Sequence, residues 1–393
     1  MSEFVVWFDS RETGAPVLNN AAGSLIGVLD ACLITGFNTK AITSITVAGG
    51  VATATCNGHG FSGVYGKDVL ISGATPAALN GRKELTFVDT NTFRFATTAA
   101  NGAATGTITA KRDPLGWVKQ FAGVNKAIYK RTEVTATSMM LKIDDTGLGV
   151  ASAIDARVLT IESATDIDTV QGVSPPNANV TNGYIWNKGS NSTIGKQWTL
   201  IGDGKTFYLT TQSGTQVLPN SDINAYASML YSFGDFETFK QGDAYGTLIS
   251  GETSSSGGAG TSIGTGCLGQ PSGGMTASVS FGIAAARSFS QLGGSISLTY
   301  FGISRSFGMF VFPSPVDSGY LVNPKVMLLE TAPGGSTVRG LVRGLAESLG
   351  FNSVSHLEIV DSVVGLSGRR LLGLQIYAGG STRILLDITG PWG

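Results

Sequence analysis

Short runs of β-branched and aromatic residues, separated by glycine, constrain the fold of this chain more than any other feature of its sequence. Glycine supplies 55 of the 393 residues, roughly twice its usual share, and it lacks the three-residue period of collagen. Runs rich in Val, Ile, Thr and Phe between Gly, Asn and Asp are typical of strands and turns. The pattern predicts a mainly β, multi-domain chain with β-sandwich or barrel-like parent domains, a small inserted all-β module and few short helices.

Charged side chains are scarce, at 13% of the residues against about 25% in an average soluble domain. The net charge of −1 gives no basic excess, so we expect no nucleic-acid partner. Hydrophobic residues reach 42%, which excludes a disordered chain. Few charges on a mildly apolar chain favour a surface that other subunits partly cover. A stable monomer with a surface of Ser, Thr, Asn and Gly remains open.

The N-terminal segment contains the clearest helix signal. Three leucines recur at helical spacing: Leu25, Leu29 and Leu33. This spacing predicts an amphipathic helix from about Asn20 that ends at Gly36. Asn19 or Asn20 is the expected N-cap. The apolar stripe indicates that the helix docks on another element.

Changes of composition divide the chain into predicted segments. A series of short β-like runs lies between polar stretches, which predicts a small β module inserted into a parent domain. A nearly uncharged Gly/Ser-rich tract further on predicts a flexible loop. The segments are 1–39, part of the parent domain and carrying the helix; 40–112, the inserted β module; 113–250, the parent β-rich domain; 251–275, the flexible loop; and 276–393, a C-terminal β-rich region.

Motifs for catalysis are weak. Residues 264–269 match G-x-G-x-x-G, but the flanking sequence predicts no strand before the motif and no helix after it, as a nucleotide site requires. The D-T-G sequence at Asp145 resembles that of aspartic proteases, yet the second copy near Asp387 has an extra residue. Two histidines, His59 and His356, are too few for a Ser-His-Asp triad or a His-based metal site. The sequence predicts a protein that is not an enzyme, with no catalytic residues, no cofactor and no metal.

Cysteine and membrane signals are equally sparse. The three cysteines lie far apart: Cys32, Cys56 and Cys267. Their spacing predicts neither a disulfide framework nor a zinc site. Asp166 and Asp168 are expected to cap turns, because the ligand spacing of a calcium loop is missing. The most apolar stretch is broken by Asp30 and is too short to span a membrane, and the N-terminus has no basic region of a signal peptide.

Aromatic residues are dense in the middle third of the chain. Aromatic side chains fill β cores, anchor subunit interfaces and form platforms for sugars. The sequence favours core or interface, and a glycan site around Trp186, Trp198 or Tyr231 stays open. The interface candidates are Leu25, Leu29, Leu33, Trp117, Phe121, Trp186, Trp198, Phe233 and Phe236.

Longer phrases are more specific than these motifs. TGAPVLNNAAGSLIGVLDACLITGF, GWVKQFAGVNKAIYK, IESATDIDT, GDFETFKQGDAY and RRLLGLQIY…RILLDITGPWG together resemble a family of tailed-bacteriophage virion proteins that are tail- or baseplate-associated. The segment 40–112 resembles a small β domain of phage structural proteins through His59–Gly63, Asp68–Ala74, Leu79–Gly81 and Phe87–Phe95. The resemblance implies a virion component and brings no catalytic residues with it.

We therefore expect a non-enzymatic structural subunit of a phage tail, baseplate or collar. Its expected partners are copies of itself and neighbouring virion proteins, and its expected location is the virion after assembly in the host cytoplasm, without membrane insertion. The tract Ser254–Gly274 is expected to order at an interface on assembly. The alternatives are a receptor- or glycan-binding tail protein without catalysis, which would bind a host surface glycan, and a head decoration or fibre protein. A depolymerase would need a carboxylate pair in a groove.

Overall fold

The described residues fold mainly into antiparallel β-sheets. The computed structural model describes residues 4–62, 68–147, 155–177, 180, 182–189, 195–212, 228–253, 281–301, 319–320, 322–332, 335–348, 354–361, 363–375 and 383–392. Within these residues lie four sheets and one short α-helix. The mainly β, multi-domain fold predicted from the glycine-separated runs is confirmed.

The helical segments are short and the strands are numerous. The helical segments are α1 (Ser24–Asp30), a π-helical turn (Ala31–Thr35) and a 3₁₀ turn (Ala77–Leu79). The strands are β1 (Val6–Asp9), β2 (Lys40–Ala41), β3 (Ser44–Ala48), β4 (Val51–Thr55), β5 (Asp68–Ser72), β6 (Gly81–Val88), β7 (Thr92–Ala96), β8 (Gly102–Ala103), β9 (Thr109–Arg112), β10 (Val118–Gly123), β11 (Lys126–Lys130), β12 (Met140–Asp144), β13 (Asp155–Ile161), β14 (Ser163–Ala164), β15 (Val170–Gln171), β16 (Tyr184–Asn187), β17 (Trp198–Gly202), β18 (Thr206–Gln212), β19 (Ser228–Asp235), β20 (Glu237–Thr238), β21 (Thr247–Glu252), β22 (Phe281–Ala285), β23 (Ile296–Phe301), β24 (Val322–Asn323), β25 (Met327–Ala332), β26 (Gly335–Leu341), β27 (Leu345–Ser348), β28 (Ile359–Val360), β29 (Leu371–Gln375) and β30 (Arg383–Asp387).

The largest sheet has fifteen strands and branches at β21. One path runs β10-β11-β12-β13-β16-β21-β22-β23-β25-β26-β20, and the other leaves β21 through β19, β18 and β17 to β1. Trp7 and Phe8 are neighbours on β1 but belong to different apolar clusters, because successive side chains of a strand point to opposite faces. The sheet is therefore buried on both faces along this path.

Residues between Lys40 and Arg112 form an eight-stranded sheet of order β2-β9-β5-β6-β7-β4-β3-β8 with its own apolar cluster. The Arg112 guanidinium joins this sheet to the N-terminal segment. It lies 2.6 Å from the Glu12 carboxylate and donates to the Trp7 carbonyl at 2.7 Å. Burial raises the pKa of Glu12 to about 7, against the opposing charge of Arg112. The segment boundaries given by composition stay a prediction.

The C-terminal residues build a five-stranded sheet, β24-β27-β30-β29-β28. Successive side chains of its strands face different apolar clusters, as in the large sheet. Leu386 joins the cluster shared with the large sheet, whereas Leu385 joins a separate small cluster. A further two-stranded sheet pairs β14 with β15.

The N-terminal helix is shorter than predicted and has a different cap. It starts after Gly23, whose φ is 84°, and its π-helical extension stops at Gly36, as predicted. Neither Asn19 nor Asn20 is the cap. Instead, the backbone N–H groups of Leu25 and Ile26 donate to Oδ2 of Asp145 at 2.9 and 3.4 Å. The predicted cap is wrong because a carboxylate distant in sequence takes that position.

The predicted interface residues lie inside the chain. Phe121 is half-buried, and the other eight are at most 4% exposed. Their apolar surface packs against this chain's own helix and sheet, so they have little surface to offer another subunit. The residues corrected in this way are Leu25, Leu29, Leu33, Trp117, Trp186, Trp198, Phe233 and Phe236.

Candidate functional site

A polar cleft of about 200 Å³ opens beside β20. Threonine hydroxyls line much of it, and two charged side chains, Lys205 and Glu237, contribute to the lining. Asp235, Asp243 and Arg343 also line it, and each is at most 7% exposed. The cleft therefore lies over buried ion pairs, and their contacts determine its chemistry.

Asp235 is paired with the buried Arg131. Its Oδ1 accepts hydrogen bonds from Arg131 Nη1 at 2.6 Å, Thr247 Oγ1 at 2.7 Å and Thr137 Oγ1 at 2.9 Å. Its Oδ2 accepts from the Thr137 backbone N–H at 2.9 Å. Burial lowers the pKa of Arg131, and the Asp235 carboxylate opposes that shift. These four hydrogen bonds to one carboxylate hold Arg131, Thr137 and Thr247 together at this end of the cleft.

Arg343 fixes the C-terminal residues to the hairpin of β17 and β18. Its Nη2 lies 2.9 Å from Asp203 Oδ2 and donates to the Trp392 carbonyl at 2.7 Å. The Tyr208 hydroxyl donates to the Arg343 carbonyl at 2.5 Å. Asp203 Oδ1 also accepts a hydrogen bond from the backbone N–H of Lys205 at 2.8 Å, within the turn that joins β17 to β18.

Arg339 connects two loops beside the cleft. Its guanidinium is fully buried; Nε donates to Asp243 Oδ2 at 2.9 Å and Nη1 to Glu330 Oε2 at 2.5 Å. Nη1 also donates to the Arg287 carbonyl at 3.1 Å. Glu330 in turn accepts the Phe289 N–H. The loops 237–245 and 287–294 are thereby held to one guanidinium.

The arrangement suits hydrogen bonding to a ligand better than proton transfer. A general acid or base must exchange a proton with substrate, but Asp235 and Asp243 already accept bonds from Arg131 and Arg339. The threonine hydroxyls and the charged groups of Lys205 and Glu237 at the rim are more exposed than these two aspartates. The cleft can thus offer the hydroxyl and charged groups at its rim to a polar molecule.

A second group of titratable residues lies where β16 meets β21. Glu252 is 5% exposed, and its Oε1 accepts a hydrogen bond of 2.9 Å from the Tyr231 hydroxyl. Burial raises the pKa of Glu252 to about 7. The Tyr231 hydroxyl also accepts the Asn187 N–H at 2.9 Å. Tyr231 and the two tryptophans proposed for a glycan site are at most 1% exposed, so that glycan site is wrong.

Glu252→Gln is expected to reduce the pH dependence of stability. The Glu252 carboxyl binds its proton more tightly in the folded chain, with a pKa of about 7 against 4.5 when unperturbed. Folding stability is therefore expected to fall as pH rises from about 4.5 through 7. The variant should remove on the order of 2 kcal/mol of that loss, measured as urea unfolding at pH 5 and pH 8.

Tyr231→Phe provides the matched comparison for Glu252. The Tyr231 hydrogen bond lowers the Glu252 pKa, so its removal should make the decline with pH steeper. Equal slopes for the parent chain and Glu252→Gln would contradict the assignment.

Lys196 carries a buried ammonium group that has no hydrogen-bond partner among the described residues. It is 5% exposed, and its Nζ makes no hydrogen bond to any residue that the structure describes. Its methylene chain packs where a Cβ on Gly189 would collide, and Gly189 has a φ of 103°. Burial lowers the pKa of Lys196 to about 8.

Lys196→Met is expected to stabilise the chain at neutral pH by on the order of 2 kcal/mol, because methionine has a volume similar to that of lysine and carries no charge that must be buried. The folded chain binds this proton less tightly than the unfolded chain, with a pKa of about 8 against 10.5. The stability of the parent chain should therefore rise with pH between about 8 and 10.5. Thermal unfolding across that range checks the prediction, and a destabilised variant would refute it.

The remaining motif residues shape turns or pack in cores. Asp387 Oδ1 accepts the Thr389 N–H at 2.8 Å. Asp166 Oδ1 accepts the N–H of Asp168 at 2.8 Å, which confirms Asp166 as a turn cap. His59 is 1% exposed and packs among aromatic rings, and His356 is half-buried. The G-x-G-x-x-G motif, Cys267 and the tract Ser254–Gly274 lie outside the described residues.

Asp145, in the D-T-G sequence, belongs to a buried ion pair. Lys188 Nζ donates to Asp145 Oδ1 and to the Ala21 carbonyl, and the two side chains are fully buried. Burial raises the pKa of Asp145, and Lys188 opposes the shift. The pair holds the start of α1, so Asp145 has a structural role that the sequence did not indicate.

The described part of the chain contains no group of three or more His, Cys, Asp or Glu side chains placed to hold a metal ion. None of its helices has the length and hydropathy to cross a membrane. Comparison of the chain with protein-family models, curated proteins and solved structures gave no match.

Proposed function

We propose that the chain is a non-enzymatic structural subunit of a tailed-bacteriophage particle, assembled into its tail or baseplate. The observation that carries the proposal is a set of buried arginines that fasten sequence-distant segments together. Arg112 joins the N-terminal strand to the eight-stranded sheet, and Arg343 joins the C-terminus to the β17–β18 hairpin. Loss of the ionic partner of either arginine would leave a buried charge unpaired. The two arginines therefore fix the relative positions of the segments that they join.

The phage-like phrases support the proposal because they contain residues that form a core. Phe61 belongs to the phrase at His59–Gly63, and Phe93 and Phe95 belong to the phrase at Phe87–Phe95. All three are at most 6% exposed and lie in the cluster of the eight-stranded sheet. The resemblance to a phage β domain thus includes positions that a fold of that kind would need.

A virion role requires association with copies of the chain and with neighbouring proteins. The sparse charge of the chain, 13% of its residues, suits a surface that neighbours cover. The buried ion pairs would keep the subunit in one conformation while it assembles. The chain would act by shape and contact, with no covalent chemistry.

Immunogold labelling of particles tests the proposal. Particles are purified from a lysate of the host that carries the gene and are labelled with antibody against the chain. Gold at the tail or baseplate is the expected result. Gold on the capsid would favour the head-decoration alternative, and unlabelled intact and disrupted particles would overturn the proposal.

A further inference from the structure

Four neighbouring strands of the eight-stranded sheet align a row of side chains that points away from its core. The register pairs Thr46 with Thr53, Thr53 with Arg94 and Arg94 with Phe87, on β3, β4, β7 and β6 in turn. All four side chains are exposed or half-buried, whereas the alternate positions of β3, β4 and β7 belong to the core cluster. We call this row the Arg94 face. Arg94 is the only charged residue in the sequences of β3, β4 and β7.

The Arg94 guanidinium is exposed and forms no ion pair with any described residue. Its Cζ lies 4.8 Å from the centroid of the Phe87 ring, and Phe87 is 43% exposed. A cation held over a ring in this way is already oriented and stays available to an anionic group. An open sheet face suits another protein surface better than a small molecule, which needs a concave site.

Formal charge is divided unevenly along the chain. Residues 40–112, which contain the Arg94 face, have seven Lys and Arg and three Asp and Glu, a formal charge of +4. The other residues have 19 Lys and Arg and 24 Asp and Glu, a formal charge of −5. Two copies therefore attract each other when the basic segment of one faces the remainder of the other, whereas two basic segments repel. This distribution favours a contact between two different surfaces of the same chain.

The strand β20 carries a charge opposite to that of Arg94. Glu237 is exposed, and its carboxylate forms no hydrogen bond or ion pair with any described residue. Phe239, two residues further on, is 56% exposed. Its N–H donates to the Arg339 carbonyl at 3.2 Å, which continues the pairing of the strand, so the alternation places Glu237 and Phe239 on one side. An unpaired acid thus lies beside an exposed ring, as the unpaired Arg94 lies beside Phe87.

The cations close to Glu237 do not pair with it. The buried guanidinium groups around the cleft each have an aspartate of their own. The Lys240 ammonium donates to the Phe289 carbonyl at 2.6 Å. Lys205 lines the cleft together with Glu237, and no ion pair joins them. The Glu237 carboxylate therefore remains available to a cation from another molecule.

We propose that the Arg94 face of one copy docks on the Glu237–Phe239 strand of a second copy, with the guanidinium paired to the carboxylate and the two exposed rings in apolar contact. This inference rests on the structural role proposed above and supplies a surface and a partner for it. Because the contact joins two different surfaces, it is heterologous, and successive copies form a closed ring or an open chain.

Sedimentation velocity of the purified full chain tests the contact through charge reversal. The parent chain is expected to associate at concentrations up to about 0.3 mM, and more weakly at high salt. Arg94→Glu and Glu237→Lys each place like charges across the contact, so each should weaken association by roughly tenfold or more. An equimolar mixture of the two variants should restore association, because every contact between the two variants then joins opposite charges.

Lys130→Glu is the matched control, since it makes the same kind of charge reversal at an exposed position of β11 and should leave association unchanged. Three results would overturn the proposal: the parent chain stays monomeric over this range, the mixed variants associate no better than each alone, or Lys130→Glu weakens association as much as Arg94→Glu. Circular dichroism checks that the variants fold, which is expected because the substituted side chains are exposed. Failure of self-association leaves the immunogold result unaffected, so the two proposals fail separately.

Discussion

Lys188→Met is expected to lower the free energy of unfolding by about 3–5 kcal/mol, the cost typical of leaving one partner of a buried ion pair uncompensated. The reason is that Asp145 stays buried beneath α1, where it accepts the N–H groups of Leu25 and Ile26. Urea unfolding measures the loss.

The double variant Lys188→Met/Asp145→Asn separates charge from packing. It removes both charges while it keeps an oxygen acceptor for the helix N–H groups. Its loss should therefore be clearly smaller than the sum of the two single losses. Additive losses, or a single Lys188→Met loss below about 1 kcal/mol, would contradict the role assigned to this pair.

Arg339→Met is the other substitution with a large expected effect. It leaves Asp243 and Glu330 buried without their shared cation, and a loss of about 3–5 kcal/mol is expected. Because the same guanidinium holds loops 237–245 and 287–294, amide hydrogen exchange in both loops should also accelerate. Calorimetry and exchange measured on one preparation provide the two readouts.

Arg287→Met is the matched control for Arg339. Arg287 pairs with Glu162 at 2.8 Å, but its side chain is 30% exposed, so a loss under about 1 kcal/mol is expected. If Arg339→Met and Arg287→Met lowered the free energy of unfolding equally, burial of the guanidinium would not determine the size of the loss. The assignment of Arg339 as the residue that holds both loops would then be wrong.

Local patterns were sufficient to predict the fold class. Short β-branched runs and glycine turns are local signals, and they gave the mainly β architecture and the turn at Asp166. The cap of α1 could not be predicted because Asp145 is about 120 residues away in sequence. No local pattern connects a helix start to a distant carboxylate.

The run from Thr337 lacks the alternation of apolar and polar residues that is typical of a strand, yet it contributes to β26 and contains β27. The buried side chain of Arg339 explains the difference. It points inward to carboxylates, so a buried position of the strand appears polar in the sequence. A buried charge with partners from other segments hides the alternation that normally reveals a strand.

Composition also could not separate core from interface. Trp186 and Phe233 have the residue types of either environment. They are buried because apolar clusters form on both faces of the large sheet, which depends on the tertiary fold.

Absolute quantification of the chain in gradient-purified phage particles tests the central claim most directly. Isotope-labelled peptides of the chain and of the major capsid protein give its copy number per particle by mass spectrometry. A structural subunit should be present at a fixed copy number that is unchanged after a high-salt wash. A chain found only in the soluble fraction, or in variable amounts that washing removes, would contradict a structural role in the virion.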